Sequence, residues 1–239
     1  RAFVSTASHE LRTPLAALQG MLELIAGRVR DGTFDGPEAA PQIAAATEQS
    51  DRLAQLASDL LDLSRIESGL ELREEPVDLV EVCRAVAAEF SHRDGAGDGA
   101  PRIVVEQRGE RPWGLGDPSA VAQVVRITLD NALRHAPAGE PVRVAVERRA
   151  ADAIVAVQDA GPGVAAADRE RIFGRFQRGD RGERDGGFGL GLAIGRDLAS
   201  GMQATLRLDG DHAPGARFVL CMRAFTQARD ASPAEVKSR

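Results

Sequence analysis

The sequence is almost without lysine, asparagine and tyrosine. Lys237 is the only lysine among 30 basic residues, asparagine occurs once, at Asn131, and tyrosine does not occur. The P-loop pattern GxxxxGK[ST] and the strand lysine of Ser/Thr/Tyr kinases both require a lysine within the folded part of the chain. Their absence excludes these two nucleotide-binding classes, so any nucleotide site in this protein has to use other residues.

The sequence also has few cysteines, no long apolar run and no excess of positive charge. Cys83 and Cys221 are the two cysteines and form no CxxC pair, which favours free thiols over a structural disulfide. No apolar run approaches the roughly 18 residues of a membrane-spanning helix, and no cleavable leader pattern opens the sequence. The net charge of −6, without a basic patch, argues against nucleic-acid binding. The length of 239 residues is enough for one or two domains with a real core.

Leucine spacing predicts two long helices in the first 69 residues. The apolar residues of the first helix, residues 1–30, alternate spacings of four and three: Leu11, Leu15, Leu18, Leu22, Ile25 and Val29. Turn-forming residues at 31–37 separate it from a second helix over 38–68, which Gly69 ends. Two such helices pair antiparallel but cannot bury both apolar faces alone. We therefore expect a second copy of the chain to complete a homodimeric four-helix bundle.

The pattern changes after residue 69 to alternating helix and strand signals. We expect a linker at 70–76, a second domain at 77–223 and a polar tail at 224–239. Helices are predicted within the second domain at 78–90, 119–135, 168–176 and 189–200. Strands are predicted at 103–107, 142–148, 153–158, 204–208 and 217–222, the second and third of these forming a hairpin. Residues 91–101 and 177–187 are predicted loops.

His9 is the candidate nucleophile of the first helix. It lies on the opposite side of the helix from Leu18, and so points away from the apolar face. Glu10 can accept a proton from the imidazole, and Thr13, one turn later, can position a water molecule or a phosphoryl oxygen. A neutral imidazole, with an ordinary pKa near 6.5, is a competent nucleophile at neutral pH. The alternative is a surface histidine without a role.

Two stretches of the second domain carry oxygen ligands. Asn131, late in a predicted helix, offers a neutral oxygen that can bind Mg²⁺ beside phosphate oxygens, or is an ordinary polar helix residue. Asp159 directly follows a predicted strand and can accept a hydrogen bond from an adenine amino group. Gly161 and Gly163 behind it let the backbone approach the base, although a plain turn fits the pattern equally well.

Two further stretches complete the set. Residues 172–178 hold two aromatic anchors and end at Arg178, or form a simple amphipathic helix. Gly187, Gly189 and Gly191 open a predicted helix, where free N–H groups can face a phosphate. The pattern differs from the dinucleotide fingerprint GxGxxG because Leu192 fills the third glycine position.

These stretches together resemble one family. SHELRTPL at residues 8–15 and LLDLSRIESG at residues 60–69 are similar to the phosphoacceptor helices of two-component sensor histidine kinases of the HisKA type. The other four stretches resemble, in order and spacing, the N, G1, F and G2 boxes of the ATP-binding domain in the same family. The resemblance runs from about Phe3 to Met222. It implies an α+β fold in which a helical hairpin, forming a homodimeric four-helix bundle, precedes an α/β sandwich with a mixed sheet.

The resemblance also implies an activity, in which His9 accepts the γ-phosphoryl group of ATP and passes it to an aspartate of a response regulator receiver domain. The catalytic residues are then His9, Glu10 and Thr13. Asn131 binds Mg²⁺ and Asp159 binds adenine, while Arg134 takes the place of a lysine near the phosphates. The remaining nucleotide-binding residues are His135, Gly161, Gly163, Arg178, Gly187, Gly189, Gly191 and Leu192. We expect a cytoplasmic location for this part, with the full-length protein in the bacterial inner membrane through segments outside this chain.

Three departures from the family pattern leave room for other functions. Ile127 stands where the family has a second asparagine, His135 replaces a tyrosine, and Ser200-Gly201 replaces a later pair of glycines. An alternative reading is therefore a catalytically weakened ATP-binding pseudokinase that acts as a dimerisation module. A gyrase-like or chaperone-like ATPase would use the same pocket but does not explain the octet around His9.

Overall fold

The computed structural model describes residues 2–34, 39–69, 71–93, 103–177, 188–212 and 214–226, with the backbone alone at 2–6, 8–10 and 91–93. The described helices are α1 (Ala2–Arg30), α2 (Ala39–Glu67), α3 (Leu79–Arg93), α4 (Pro118–His135) and α5 (Gly191–Gly201). The described strands are β1 (Glu75–Asp78), β2 (Ile103–Arg108), β3 (Trp113–Gly116), β4 (Val142–Arg149), β5 (Asp152–Gln158), β6 (Thr205–Leu208) and β7 (Arg217–Arg223). None of the described helices combines the length and hydropathy of a membrane span.

The helices α1 and α2 form the predicted hairpin. Gly69, with φ of +79°, ends α2 in the left-handed conformation that glycine adopts without a Cβ clash. On one face of α2, Leu56 and Leu63 are fully buried and belong to the same apolar cluster as the core of the α/β domain. On α1, Leu15 and Leu22 remain about half exposed in the single chain. The hairpin therefore has one apolar face covered by its own α/β domain and a second that this chain leaves open.

The α/β domain is built on a mixed five-stranded sheet. The strand order is β2-β4-β5-β7-β6, in which β2 and β4 are parallel and all other neighbours are antiparallel. The β4–β5 hairpin pairs Arg149 with Asp152, as the alternation of the sequence predicts. Helices α3, α4 and α5 pack their apolar faces on one side of this sheet. The predicted helical hairpin followed by an α/β sandwich with a mixed sheet is confirmed.

A small second sheet moves the borders of the α/β domain outward. Strand β1 pairs antiparallel with β3, so that Glu75 lies opposite Gly116. Ala224 forms a β-bridge with Gly114, and the Phe225 N–H donates to the Trp113 carbonyl at 2.8 Å. Residues 75 and 76, predicted as linker, and residues 224 and 225, predicted as tail, are therefore part of this domain. The sequence signal is weak because such short strands are defined by pairing with distant segments.

Three predicted elements differ in detail. The helix α3 continues past Phe90 to Arg93, so residues 91–93 are helical, and the rest of the loop predicted over 91–101 lies outside the described residues. Two short 3₁₀ helices, Ala166–Asp168 and Arg171–Phe173, replace the single helix predicted over 168–176. The left-handed backbone of Phe176, with φ of +58°, prevents a helix from continuing there. The helix α5 begins at Gly191 instead of Gly189, and β3 was not predicted.

The segment between α2 and β1 is attached to the α/β domain. Both the backbone N–H and the Nε of Arg73 donate to Oδ2 of Asp117, at 3.2 and 3.3 Å. The other oxygen of Asp117 caps α4 by accepting from the N–H groups of Ser119 and Ala120. One carboxylate thus fixes both the entry of the chain into the α/β domain and the start of α4.

Candidate functional site

A cleft of about 930 Å³ lies between α2 and the α/β domain. Its walls come from α4, from the segment after β5, from residues 188–192 and from the side of α2. The cleft brings together eight of the predicted nucleotide-binding residues: Asn131, Arg134, His135, Asp159, Gly163, Gly189, Gly191 and Leu192. Segments far apart in the sequence therefore meet at one site, as their chemistry suggested.

Asp159 presents an unmet hydrogen-bond acceptor at this cleft. Its Oδ1 accepts from the backbone N–H groups of Gly161, at 2.7 Å, and Ala216, at 3.2 Å. The residue is only 3% exposed, and its buried Oδ2 has no hydrogen-bond partner in the part of the chain that the structure describes. Because a buried acceptor without a partner costs free energy, this oxygen is suited to a ligand that brings an N–H donor.

Gly161 also needs its small size at this end of the cleft. A Cβ at this position would lie 2.5 Å from the carbonyl oxygen of His135, closer than real Cβ contacts allow. Gly161 does not line the cleft itself, but its N–H orients the Asp159 carboxylate. The glycine after the aspartate thus lets the β5 end approach the C-terminal end of α4.

The last two turns of α4 supply the polar side chains of the opposite wall. Asn131 is half-buried, and Arg134 donates to Oδ2 of Asp130 at 2.5 Å. No group of three or more His, Cys, Asp or Glu residues that could hold a metal ion occurs among the described residues. A metal at this site would need oxygen ligands from the substrate as well as the Asn131 carboxamide, which is how Mg²⁺ commonly binds beside phosphates.

The glycine-rich stretch forms the third wall. Gly189 has φ of +69°, and a Cβ there would lie 2.5 Å from the carbonyl oxygen of Gln177. The helix α5 then starts at Gly191, with Leu190 as an N-cap residue whose side chain makes no capping hydrogen bond. The first N–H groups of this helix therefore have no side-chain cap from Leu190 and could face a phosphate.

Ile127 connects the wall formed by α4 to the wall formed by the glycine-rich stretch and α5. Its Cγ2 is 3.4 Å from where a Cβ of Gly191 would stand, and its Cδ1 is 3.8 Å from the same position at Gly195. This side chain lines the cleft and is partly buried. The departure from the family pattern thus provides an apolar contact between α4 and α5 in place of a polar group.

Asp59 of α2 is a cleft residue that the sequence analysis missed. It is 8% exposed, and its Oδ1 accepts from the Gln55 amide at 2.8 Å. Burial raises the pKa of Asp59 to about 6; the Gln55 hydrogen bond opposes this shift, while the nearby carboxylates of Asp62 and Asp130 add to it. A signal was present, since Asp59 lies on the same helix face as Leu56 and Leu63.

The remaining predicted residues are on α1 or outside the part of the chain that the structure describes. Arg178 and Gly187 are outside the described residues. His9 and Glu10 lie within α1, where the structure describes only their backbone. Thr13 is exposed on the same helix.

Two family models match this chain. Residues 1–69 match the His Kinase A (phospho-acceptor) domain, and residues 116–225 match the histidine kinase-, DNA gyrase B-, and HSP90-like ATPase. The chain belongs to the two-component histidine kinases. The match over 1–69 also separates this histidine kinase from the gyrase-like and chaperone-like alternative, and the match over 116–225 supports an ATP-binding domain.

Histidine kinases of mycobacteria are among the relatives. The chain is 32% identical over 233 residues to the sensor-like histidine kinase SenX3 of Mycobacterium tuberculosis. The aligned region covers 95% of this chain and 55% of SenX3. It is 38% identical over 201 residues to the probable sensor histidine kinase TcrY of the same species, covering 81% of this chain and 40% of TcrY. This histidine kinase chain thus spans about half the length of the curated relatives it matches.

Solved structures of histidine kinases share the fold. Acinetobacter baumannii histidine kinase AdeS superimposes with a TM-score of 0.68 at 27% identity, covering 91% of this chain and 98% of AdeS. Full-length ShkA in complex with AMPPNP superimposes with a TM-score of 0.65 at 30% identity, covering 94% of this chain and 46% of ShkA. Both likenesses extend over the hairpin as well as the α/β domain of this histidine kinase.

Proposed function

We propose that this chain is a histidine kinase core that transfers the γ-phosphoryl group of Mg·ATP to His9 and then to an aspartate of a response regulator receiver domain. The observation that carries the proposal is the buried, unpartnered Oδ2 of Asp159 in a cleft shared with Asn131, Arg134 and the glycine-rich start of α5. This cleft belongs to the same chain as a phosphoacceptor hairpin.

ATP fits the donor and acceptor groups of the cleft. The adenine amino group can donate to Oδ2 of Asp159, while Oδ1 is held by Gly161 and Ala216. The triphosphate then extends toward Arg134 and the first N–H groups of α5. Arg134 exchanges its ion pair with Asp130 for a phosphate oxygen, which a partly exposed ion pair allows at low cost.

Asn131 is the residue that would hold Mg²⁺. Its carboxamide oxygen lies in the wall beside Arg134, and a single protein ligand is sufficient where phosphate oxygens and water complete the octahedron. The ion would neutralise phosphate charge during transfer. Ile127 contributes no ligand, so this chain relies on Asn131 for its direct protein contact with the metal.

His9 is the proposed acceptor. A ring nitrogen attacks the γ-phosphorus, a P–N bond forms, the bond to the β,γ-bridging oxygen breaks, and ADP leaves with the electron pair. Glu10, the next residue, takes the proton from the imidazole. Thr13 is proposed to position the water molecule that hydrolyses the phosphorylated regulator.

A homodimer is proposed for the hairpin. The large apolar side chains that remain exposed on the single chain are concentrated on α1 and α2. They are Leu15, Leu22, Leu24, Val29, Ile43 and Leu61, against only Trp113 in the α/β domain, among the described residues. A second hairpin packed on this surface would complete a four-helix bundle. Because the reaction uses ATP, we place this core in the cytoplasm, attached to the inner membrane through segments outside this chain.

Incubation with [γ-³²P]ATP and Mg²⁺ tests the function. The protein should become labelled, and the label should be lost in acid and retained in base, as expected for a phosphoramidate. His9→Gln should abolish labelling while ATP affinity, measured by isothermal titration calorimetry, stays within twofold. Acid-labile label persisting in His9→Gln would contradict the acceptor. A wild-type chain that binds Mg·ATP but takes up no label would instead indicate the ATP-binding pseudokinase.

A further inference from the structure

Apolar and polar contacts along the C-terminal half of α2 hold the α/β domain against the hairpin. Leu56 and Leu63 supply the apolar part of this interface. The Gln123 amide of α4 donates to Oδ2 of Asp62 at 3.4 Å. At the end of the helix, Arg175 of the α/β domain forms an ion pair with Glu67, the last residue of α2.

Arg175 is placed to act as a bridge. One guanidinium nitrogen donates to Oε1 of Glu67, and the other donates to Oδ2 of Asp197 on α5 at 3.4 Å. The hydrogen bond to Glu67 is the main reason that the pKa of Arg175 lies above its ordinary value. The side chains of Arg175 and Glu67 are 35% and 50% exposed, so the ion pair is in direct contact but remains accessible to water.

The bridge lies at the edge of the nucleotide cleft. Arg175 follows the 3₁₀ helix that ends at Phe173 and precedes Gln177, whose backbone is packed against Gly189. Gly189 and Gln177 both line the cleft. The ion pair therefore joins the glycine-rich wall of the cleft to the C-terminal end of the phosphoacceptor hairpin.

The docked orientation directs the cleft at α2, whereas the proposed acceptor is on α1. The hairpin side of the cleft is formed, among described side chains, by Glu48, Asp51, Arg52, Gln55 and Asp59 of α2. Three of these five are acids, which oppose an incoming triphosphate. No described side chain of α1 lines the cleft.

The position of His9 along the hairpin agrees with this difference. Counting equal numbers of residues from Arg30 on α1 and from Ala39 on α2 places the His9 backbone about level with Leu60. The α2 residues of the cleft wall all lie on the turn side of this level. At about 1.5 Å per residue, the centre of that wall is roughly 10 Å nearer to the hairpin turn.

We propose that Arg175 is a positioning residue whose ion pair with Glu67 keeps the α/β domain docked on α2, and that this pair opens when the cleft moves to phosphorylate His9. The proposal rests on the proposed function. Breaking the pair leaves the nucleotide-binding residues intact and increases the fraction of molecules that can reach the acceptor.

Glu67→Gln and Arg175→Gln should each raise the maximal rate of autophosphorylation about two- to fivefold, the range expected for a partly exposed ion pair. The KM for ATP should stay within twofold of wild type. Loss of a residue with only a structural role would lower the rate or raise KM. Either of those results, or an unchanged rate, would overturn the proposal.

Two controls distinguish the ion pair between Arg175 and the hairpin from the ion pair between Arg175 and α5 within the α/β domain. Asp197→Asn removes the α5 partner of Arg175 and leaves Glu67 in place, so it should not raise the rate. Glu71→Gln neutralises an exposed acid four residues after Glu67 in the sequence and should also have no effect. A rate increase in Asp197→Asn equal to that in Glu67→Gln would contradict a specific role for the pair with the hairpin.

Charge reversal provides the rescue experiment. Glu67→Arg should give the largest increase in rate, because it places two cations together. Combining Glu67→Arg with Arg175→Glu, in an Asp197→Asn background so that the introduced carboxylate meets no acid on α5, should return the rate toward that of wild type. A double reversal as fast as Glu67→Arg alone would overturn the proposal.

Small-angle X-ray scattering tests the same pair without relying on activity. Glu67→Arg should increase the radius of gyration in the absence of ATP, and the double reversal should restore it. If wild type is never labelled, the proposed function fails, while the scattering result still decides whether the pair holds the domain. A radius of gyration that is equal in all variants would reject the docking role.

Discussion

Asp159 and Ala216 are joined by a reciprocal pair of hydrogen bonds: the Asp159 N–H donates to the Ala216 carbonyl at 3.0 Å, and the Ala216 N–H donates to Oδ1 of Asp159 at 3.2 Å. Together with the Gly161 N–H, this pair orients the carboxylate so that one oxygen is fully used and the other remains available inside the cleft. The backbone of this chain has therefore prepared an acceptor before any ligand binds, and substitutions at this point should report on binding directly.

Asp159→Asn should weaken ATP binding about 10- to 100-fold, because a hydrogen bond to a charged group contributes about 1.5–3 kcal/mol. The substitution keeps the size of the side chain, and the dissociation constant for ATP is measured by titration calorimetry. Asp152→Asn, an exposed acid at the start of the same strand, is the matched control and should bind normally. An unchanged dissociation constant in Asp159→Asn would remove the proposed adenine contact.

Ile127→Asn should tighten Mg·ATP binding about three- to tenfold, since it restores a neutral oxygen ligand near the phosphates. The same substitution should lower thermal stability by about 1–3 kcal/mol, because it places a polar group in the apolar contact with Gly191 and Gly195. Ile127→Val is the control that trims the contact without adding a ligand. Tighter binding that persists without Mg²⁺ would show that the gain does not come from the metal.

Thr13→Ala should slow the dephosphorylation of a phosphorylated regulator by about 10- to 100-fold, because it removes a group that orients the attacking water. Autophosphorylation of His9 should change less than twofold. Both reactions can be followed with ³²P-labelled proteins, and Thr33→Ala, an exposed threonine at the hairpin turn, serves as control. Equal losses in the two reactions would argue against water positioning.

Asp59→Asn should raise the melting temperature at pH 7.5 and have little effect near pH 4. The pKa of Asp59 in the folded state is raised to about 6 from an ordinary value of 3.8, chiefly by burial. The folded state therefore holds the proton more tightly than the unfolded state, and stability falls as pH rises from about 4 to 6. The substitution removes this destabilisation of up to about 3 kcal/mol.

Thermal unfolding of both proteins between pH 4 and 8 measures the effect. Asp51→Asn, an exposed acid on the same helix, is the control and should leave the melting temperature almost unchanged. A difference between Asp59→Asn and wild type that is the same at all pH values would show that the charge of Asp59 is not responsible.

Leu22→Glu should convert the chain from a dimer to a monomer of 25.3 kDa in sedimentation equilibrium. Leu22 is 51% exposed in the single chain and lies on the apolar face of α1, where a buried carboxylate would be costly. Glu23→Ala changes the adjacent exposed residue and should leave the dimer intact. A wild-type chain that sediments as a monomer would contradict the homodimer itself.

Local signals were sufficient for most of the elements. The leucine spacing predicted α1 and α2, the Asp117-Pro118 entry predicted the start of α4, and alternation predicted the β4–β5 hairpin, because each depends on neighbours within one or two turns. Strand β3 and the placement of residues 75 and 224 were missed. These depend on pairing between segments about 40 and 110 residues apart, which local sequence patterns cannot predict.

The candidate site divides in the same way. Motif order predicted that Asn131, Asp159 and the glycines form one nucleotide site, because the chemistry of phosphate and adenine recognition limits the residue types that can serve. The sequence did not identify Asp59 as a cleft residue or Arg175 as a partner of Glu67, since both relationships depend on how the α/β domain rests on α2.

The sequence by itself determined the family, the helical hairpin and the mixed α/β fold, and it predicted which residues bind the nucleotide, because periodicity and motif chemistry depend on the local order of residues. Only the tertiary structure decided which oxygen of Asp159 is available, that Ile127 packs α4 against α5, and that Glu67 holds Arg175. Those properties arise from contacts between segments distant in the chain, and their geometry exists only once the apolar faces of the hairpin and the sheet have packed together.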